Sequence, residues 1–562
     1  MITTEYKHIQ RKHYMNSICE KENSGLVADW ETLQRIFIRP EDDACRKTLV
    51  KYMEQILFGL NDFLKCNVGI TEEISLKDLT LDFKDTIINK NPEKKLSDVI
   101  SDLITKIAPR AVNVASPYFV GHMTAAIPFF MVHLKAIEAA LNQNVVKLET
   151  SKVLSVLERQ VLAKIHRLIF KETEAFYQRH VQSIDTSLGA FTTGGTTANL
   201  TALWVARNRF FRPCDNNCGG GFNGIENHGL LAAFKAYSIE RAVVLVSRRA
   251  HFSFKKAGGI LGLGNANVIP LDVDAHQRMD VKKLNHTIKE LERDGKTGII
   301  SVVGIAGATE TGTIDPLCDI AAICREHSIH FHVDAAWGGP VLLSDRYAHL
   351  LTGIERADSV TIDAHKQFYL PMTSGMVYFK DPEAMDCISY HSNYVNRAGS
   401  VDLGIKSLEG SREANSMILD SALRIMGSRG YALMIDHGIQ TAKEFAKEIS
   451  RRKLFELVTR PELNILTYRI VPPYLRAKMS GSDSRENARI NSAIDHINIV
   501  VQRKQREAGK SFVSRTRIRP DITYEQKVVV LRSVIMNPMT DIKILRDILD
   551  EQEQIFNSLP GI

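Results

Sequence analysis

"SVTIDAHKQFYLPMTSGMVYF", residues 359–379, places an acid, an imidazole and an amine directly after an apolar run. Ser359–Ile362 reads as a strand, Asp363, His365 and Lys366 follow it, and a second strand-like run begins at Gly375. A lysine at the end of a buried strand either snorkels to the surface or is an amine kept for covalent chemistry. Working outward, further short apolar runs recur: "AVVLVS" (242–247), "GIISVVGIAGAT" (298–309) and "IHFHVDAA" (329–336). Helix-like stretches separate them, "MDVKKLNHTIKELERDG" (279–295) and "PLCDIAAICREHS" (316–328). Strands that are apolar throughout and alternate with helices predict an α/β domain, its sheet mostly parallel and covered by helices on both faces.

In such a sheet ligands bind beyond the carboxyl ends of the strands. After "AVVLVS" comes His251, after "SVVGIAGA" Thr309, within "FHVDAAWGG" Asp334 and Ala336, and after "SVTI" His365 and Lys366. Upstream, "GAFTTGGTTANLTALWVARN" (189–208) sets Gly195, Thr196 and Thr197 at the start of a helix. That stretch alone could be a turn and an N-cap, or an anion site suited to phosphate. A lone His251 or Asp334 could equally be structural. Together, a phosphate cradle, a strand-end carboxylate, a flat imidazole and a lysine match what pyridoxal phosphate requires.

The flanking sequence sets the organisation. Residues 1–110 read as a helical segment, with helical apolar spacing over 44–64 and 96–108 and a breaker, "NPEKK" (91–95), between them. Residues 111–414 form the large α/β domain. Residues 415–562 open with a long helix, and "LFELVTRPELNILTYRIV" and "KVVVLRSVIMNP" then predict a small α+β lobe. Net charge is +7, from 72 Lys+Arg and 65 Asp+Glu in 562 residues. An excess so small, mixed along the chain, is a solvated surface and argues against nucleic acid. Of the eight cysteines only Cys214 and Cys218 are close, and no second Cys/His pair completes a zinc site, so no metal is expected. The scattered thiols fit a reducing compartment, and the N-terminus has no apolar signal core. No run reaches the roughly 18 apolar residues of a membrane span. The expectation is a cytoplasmic protein without membrane contact.

The ordered set "SPYFVGH" (116–122), "TTGGTTANL", "AHFSFKKAG", "GATETGTIDP", "HVDAAWGG", "DAHKQFY" and "LEGSR" (408–412) resembles the group II pyridoxal-phosphate-dependent amino-acid decarboxylases. The resemblance is strongest to their aspartate- and glutamate-decarboxylating members and runs from about Ser116 to the C-terminus. It implies the fold of the pyridoxal-phosphate-dependent transferases (aspartate aminotransferase type I). It also implies that Lys366 bonds the cofactor's aldehyde and Asp334 pairs with its ring nitrogen, with His251 stacked on one face and Ala336 on the other. Gly195, Thr196, Thr197 and His365 would hold the phosphate, and Thr309 the ring substituents. Where the family usually has Asn, this chain has Asp363, and that contact is not carried over.

His122 stands where relatives have a Gln near the substrate's distal carboxylate, and Arg532 matches an arginine with the same task. A guanidinium fork and an imidazole suit an acidic side chain; a surface arginine on an edge strand is the alternative for Arg532. The segment 389–407 falls where the family has a mobile loop over the site. There Tyr394, with Tyr390 as rival, would return a proton to the substrate carbon, from the neighbouring subunit of a homodimer whose active site lies at the interface. The implied activity is α-decarboxylation of an acidic L-amino acid, aspartate to β-alanine. Alternatives are glutamate to 4-aminobutyrate, an aromatic or other amino acid, a transferase or carbon–carbon lyase on the same scaffold, and a non-catalytic protein of this fold.

Overall fold

The computed structural model describes residues 29–30, 43–65, 68, 79–214, 221–391, 400, 402–479, 483–520 and 526–560. The chain forms two compact units, residues 1–116 with 506–511, and residues 117–505 with 512–562. In the first unit a helix spans Asp43–Lys65 and a shorter one Leu96–Asp102, matching the two periodic stretches read from sequence. Phe58 on the longer helix is 76% exposed.

The second unit is built on a seven-stranded sheet. Its strands are β1 (Gly189–Thr192), β2 (Arg241–Ser247), β3 (Val268–Leu271), β4 (Thr297–Ile305), β5 (His330–Asp334), β6 (Ser359–Asp363) and β7 (Gly375–Phe379), in the order β1-β7-β6-β5-β4-β2-β3. Strands β6, β5, β4, β2 and β3 pair in parallel. Only β7 runs against its neighbours, β1 and β6. All nine residues of β4 are buried, as a strand covered on both faces requires.

The covering helices follow their sequence pattern. Val281–Asp294 buries Leu284, Ile288 and Leu291 on one face; Asp280 caps it by accepting from the Lys282 and Lys283 amides, and Gly295 ends it at φ 64°. The helical stretch Asn415–Arg451 is broken at Gly427 (φ 63°). It leads to a four-stranded antiparallel sheet of β8 (Phe455–Thr459), β9 (Ile465–Ile470), β10 (Ser514–Ile518) and β11 (Val528–Val534), in the order β10-β11-β9-β8. Among the described residues no helix is long and apolar enough to cross a membrane.

This topology positions the site. Because β7 alone is reversed, β1, β4, β5 and β6 all end on one edge, at Thr192, Ile305, Asp334 and Asp363.

Candidate active site

At that edge lies a cavity of about 310 Å³, and every residue named above for the cofactor, from Gly195 to Lys366, lines it. Gly195 opens the helix Gly195–Phe210, so its first amides face the cavity without intrahelical partners. A side chain there would push the Asp363 carboxylate aside, since a Cβ on Gly195 would lie 2.8 Å from Asp363 Oδ2. Thr193 and Thr197 join their hydroxyls at 3.0 Å beside the turn.

Asp334 ends β5 with both carboxylate oxygens accepting, Oδ1 from the Ala336 amide (3.1 Å) and Oδ2 from Asn199 Nδ2 (3.0 Å). Burial lowers the His251 pKa, Asp334 raises it and Lys366 lowers it. The Nδ1 of His251 accepts from the Ser253 amide at 3.3 Å, which leaves the proton of the neutral ring on Nε2. The Nδ1 of His365 lies 2.7 Å from the Ser374 carbonyl oxygen and 3.1 Å from the Ser374 amide, which fixes that ring.

Lys366 Nζ stands 2.9 Å from Asp363 Oδ2. Asp363 is 2% exposed, and its Oδ1 is buried with no hydrogen-bond partner among the described residues. The acid found in place of an amide is therefore the lysine's ion-pair partner.

A further segment braces the turn. Glu409, in "LEGSR", accepts from the Thr193 amide at 3.1 Å. Arg412, from the same motif, forms a buried two-pronged pair with Glu158.

His122 and Arg532 are not in the cavity lining. They belong to one neighbourhood nonetheless, since burial lowers the His122 pKa and the charges of Arg532 and Lys366 lower it further. The "SPYFVGH" segment is stitched to the C-terminal part of the chain: Val120 N donates to Phe512 O (3.0 Å), and Val534 N to Val120 O (2.7 Å). Gly121 must be glycine, because a Cβ would lie 2.4 Å from the Phe512 ring. Arg532 is 7% exposed on β11, which lies between β10 and β9. It is thus neither a surface arginine nor on an edge strand. Its Nη1 donates to Gly121 O (3.1 Å), while Nε and Nη2 are buried with no hydrogen-bond partner among the described residues. Burial pushes its pKa down to about 10, partly offset by Glu310.

Tyr390 is half exposed and donates its hydroxyl to Glu226. Tyr394 and Cys218 lie outside the described residues.

Sequence reasoning missed Asn199, Arg249 and Glu310. Arg249 Nη1 donates to Glu310 Oε2 at 2.5 Å, and Glu310 Oε1 accepts from Thr516 Oγ1 on β10 at 3.1 Å. Their only signal was position, Asn199 one turn into a helix that starts at the cradle, Arg249 two residues before His251 and Glu310 directly after Thr309.

The donor set fits pyridoxal phosphate: an amine held ready, a strand-end carboxylate, a flat neutral imidazole and a small Ala336 in one cavity, and a helix-terminal anion cradle.

Comparison with known proteins agrees. Residues 80–471 match the family model described as the pyridoxal-dependent decarboxylase conserved domain. The chain is 44% identical over 537 residues to a protein named aspartate 1-decarboxylase from Aliivibrio fischeri, covering 96% of each chain. It is 27% identical over 517 residues to acidic amino acid decarboxylase GADL1 of Xenopus tropicalis, covering 90% of this chain and 91% of the relative. Among solved structures, mouse CSAD superposes with a TM-score of 0.77 at 22% identity, over 92% of this chain and 100% of that one, a likeness of fold.

Proposed function

We propose that this chain, which belongs to the pyridoxal-dependent decarboxylase family, removes the α-carboxylate of L-aspartate to give β-alanine and carbon dioxide. Its class is a pyridoxal-phosphate-dependent amino-acid decarboxylase. The observation that carries the acidic substrate is Arg532: a buried guanidinium with two nitrogens unpartnered among the described residues wants an anion, and His122 stands near it. Aspartate is put before glutamate on the 44% identical relative, whose name is aspartate 1-decarboxylase.

When bound, pyridoxal phosphate supplies an aldehyde that bonds to an amine and a protonated ring that draws off the electrons released as carbon dioxide leaves. Lys366 would hold it covalently, and Gly195, Thr196, Thr197 and His365 would take its phosphate. Thr309 would meet its ring substituents, between the faces offered by His251 and Ala336. Asp363, 2.9 Å from Nζ, can take the proton that Lys366 sheds before its amine becomes a nucleophile. Asp334 is the fixed anion that keeps a proton on the ring nitrogen. Arg532 and His122 bind the side-chain carboxylate, which leaves the α-carboxylate as the group to depart. Tyr394, on the lid segment, returns the proton to Cα. The enzyme works as a cytoplasmic homodimer in this proposal; exposed Phe58 on a helix that leaves apolar side chains uncovered supports a partner surface.

Steady-state assays with aspartate, glutamate, 2,4-diaminobutyrate and the aromatic amino acids test the substrate. Aspartate is expected to have the highest kcat/KM. One methylene is worth about 1–3 kcal/mol in a pocket, so glutamate should trail by roughly 10- to 200-fold. Faster turnover of an aromatic amino acid than of either acid would refute the roles given to Arg532 and His122.

A further inference from the structure

Residues His330, His332 and Asp334 alternate along β5, so all three side chains share one face of the sheet. Ser359 opens β6 directly opposite His332. Asn199 comes from the helix Gly195–Phe210. These residues make an unbroken chain of hydrogen bonds. Asn199 Nδ2 lies 3.0 Å from Asp334 Oδ2, and Asn199 Oδ1 3.1 Å from His332 Nε2. His332 Nδ1 lies 2.9 Å from Ser359 Oγ, and Ser359 Oγ 2.8 Å from His330 Nε2. His330 ends the chain at a separate cavity of about 510 Å³, lined by Arg209, Arg325, Arg356, Lys380 and Asp358.

The chemistry of the groups fixes the direction of every bond. The Asp334 carboxylate can only accept, so the Asn199 amide turns its N–H toward it and its Oδ1 toward His332. His332 Nε2 must then carry hydrogen. Burial pushes the His332 pKa down to about 3, so the ring is neutral and Nδ1 is bare. A bare Nδ1 accepts the Ser359 hydroxyl, whose oxygen in turn accepts from His330 Nε2–H. All donors therefore point toward Asp334, and bonds aligned head to tail reinforce one another. Protonating His330 adds a hydrogen at Nδ1 and leaves this order intact.

We propose that Asn199, His332 and Ser359 are positioning residues of the decarboxylase, a one-way relay that holds the Asn199 N–H on Asp334 and keeps that carboxylate aimed at the cofactor's ring nitrogen. The proposal rests on the assignment of Asp334 to that nitrogen. Ser359 is the informative link. Without its hydroxyl His332 Nδ1 loses its donor, so the Nε2–H form, and with it the Asn199 N–H on Asp334, is held only from the Asp334 end.

The test titrates apo-protein with pyridoxal phosphate and with its 1-deaza analogue, which has carbon in place of the ring nitrogen. Ser359→Ala is expected to weaken pyridoxal phosphate binding about tenfold and the analogue by less than about twofold, the scale of one hydrogen bond to a charged group. Ser359→Thr, which keeps a hydroxyl, should restore binding. Equal losses for both ligands, or none for pyridoxal phosphate, would overturn the relay. Asp334→Asn separates the two claims. If it fails to discriminate the ligands, the assignment of Asp334 is wrong; if it discriminates and Ser359→Ala does not, only the relay is wrong. The unaltered apo-protein provides a check free of any folding defect. Its ¹⁵N-histidine spectrum must contain a ring with Nε2 protonated and Nδ1 bare into mildly acidic solution, and the absence of such a ring would also refute the relay.

Discussion

Lys366→Ala will lose decarboxylation by on the order of 10⁴-fold or more, the scale on which removing a covalent catalytic group acts. Borohydride treatment will no longer fix pyridoxal phosphate to the chain, whereas in the unaltered protein mass spectrometry will find it on the peptide bearing Lys366. The substitution also strands Asp363, which is 2% exposed and relies on Nζ at 2.9 Å. Breaking a buried pair on one side costs about 3–5 kcal/mol, so the alanine variant should melt earlier. Lys366→Arg keeps the charge but not the chemistry. It should keep more of the stability and be as inactive, which separates the lost amine from a damaged fold. Cofactor fixed at another lysine in an active Lys366→Ala protein would contradict the assignment.

The second large effect is expected at Arg532. Arg532→Met should lower kcat/KM for aspartate by roughly 10²–10⁴-fold, the equivalent of leaving one partner of a buried charge pair unmatched. The loss should fall on KM at least as heavily as on kcat, because the side-chain carboxylate is bound before and during reaction alike. Stability should move the other way or not at all. Nε and Nη2 have no hydrogen-bond partners among the described residues, so replacing them with an apolar chain removes a desolvation cost. An Arg532→Met enzyme that kept full activity on aspartate would place substrate recognition elsewhere. Urea unfolding of the apo-protein supplies the stability comparison.

Much of this was legible because the chemistry sits at strand ends. Fully buried parallel strands announce themselves as apolar runs, and β2, β4, β5, β6 and β7 fall where those runs lie. The strands that escaped notice are weaker signals. β3 carries Pro270 at the sheet's edge, where a missing amide is tolerated. β10 alternates exposed cations with other residues. Asp363 was visible as an anomaly, but its pairing with Lys366 needed coordinates, since three residues of chain do not fix a 2.9 Å contact. The Arg249–Glu310–Thr516 link joins residues brought together only by folding. The relay through His332 was hidden for a different reason: strand periodicity puts His330, His332 and Asp334 on one face, yet nothing in the sequence says that Ser359 and Asn199 meet them there.

The central claim is that the α-carboxylate of an acidic amino acid leaves while the side-chain carboxylate is held. The direct measurement uses two samples of L-aspartate, one labelled with ¹³C at the α-carboxylate and one at the side-chain carboxylate, incubated with the protein and pyridoxal phosphate. Labelled carbon dioxide from the first sample alone, with β-alanine as the amine product, is the result predicted. Labelled carbon dioxide from the second, with alanine formed, or no carbon dioxide from either, would contradict it.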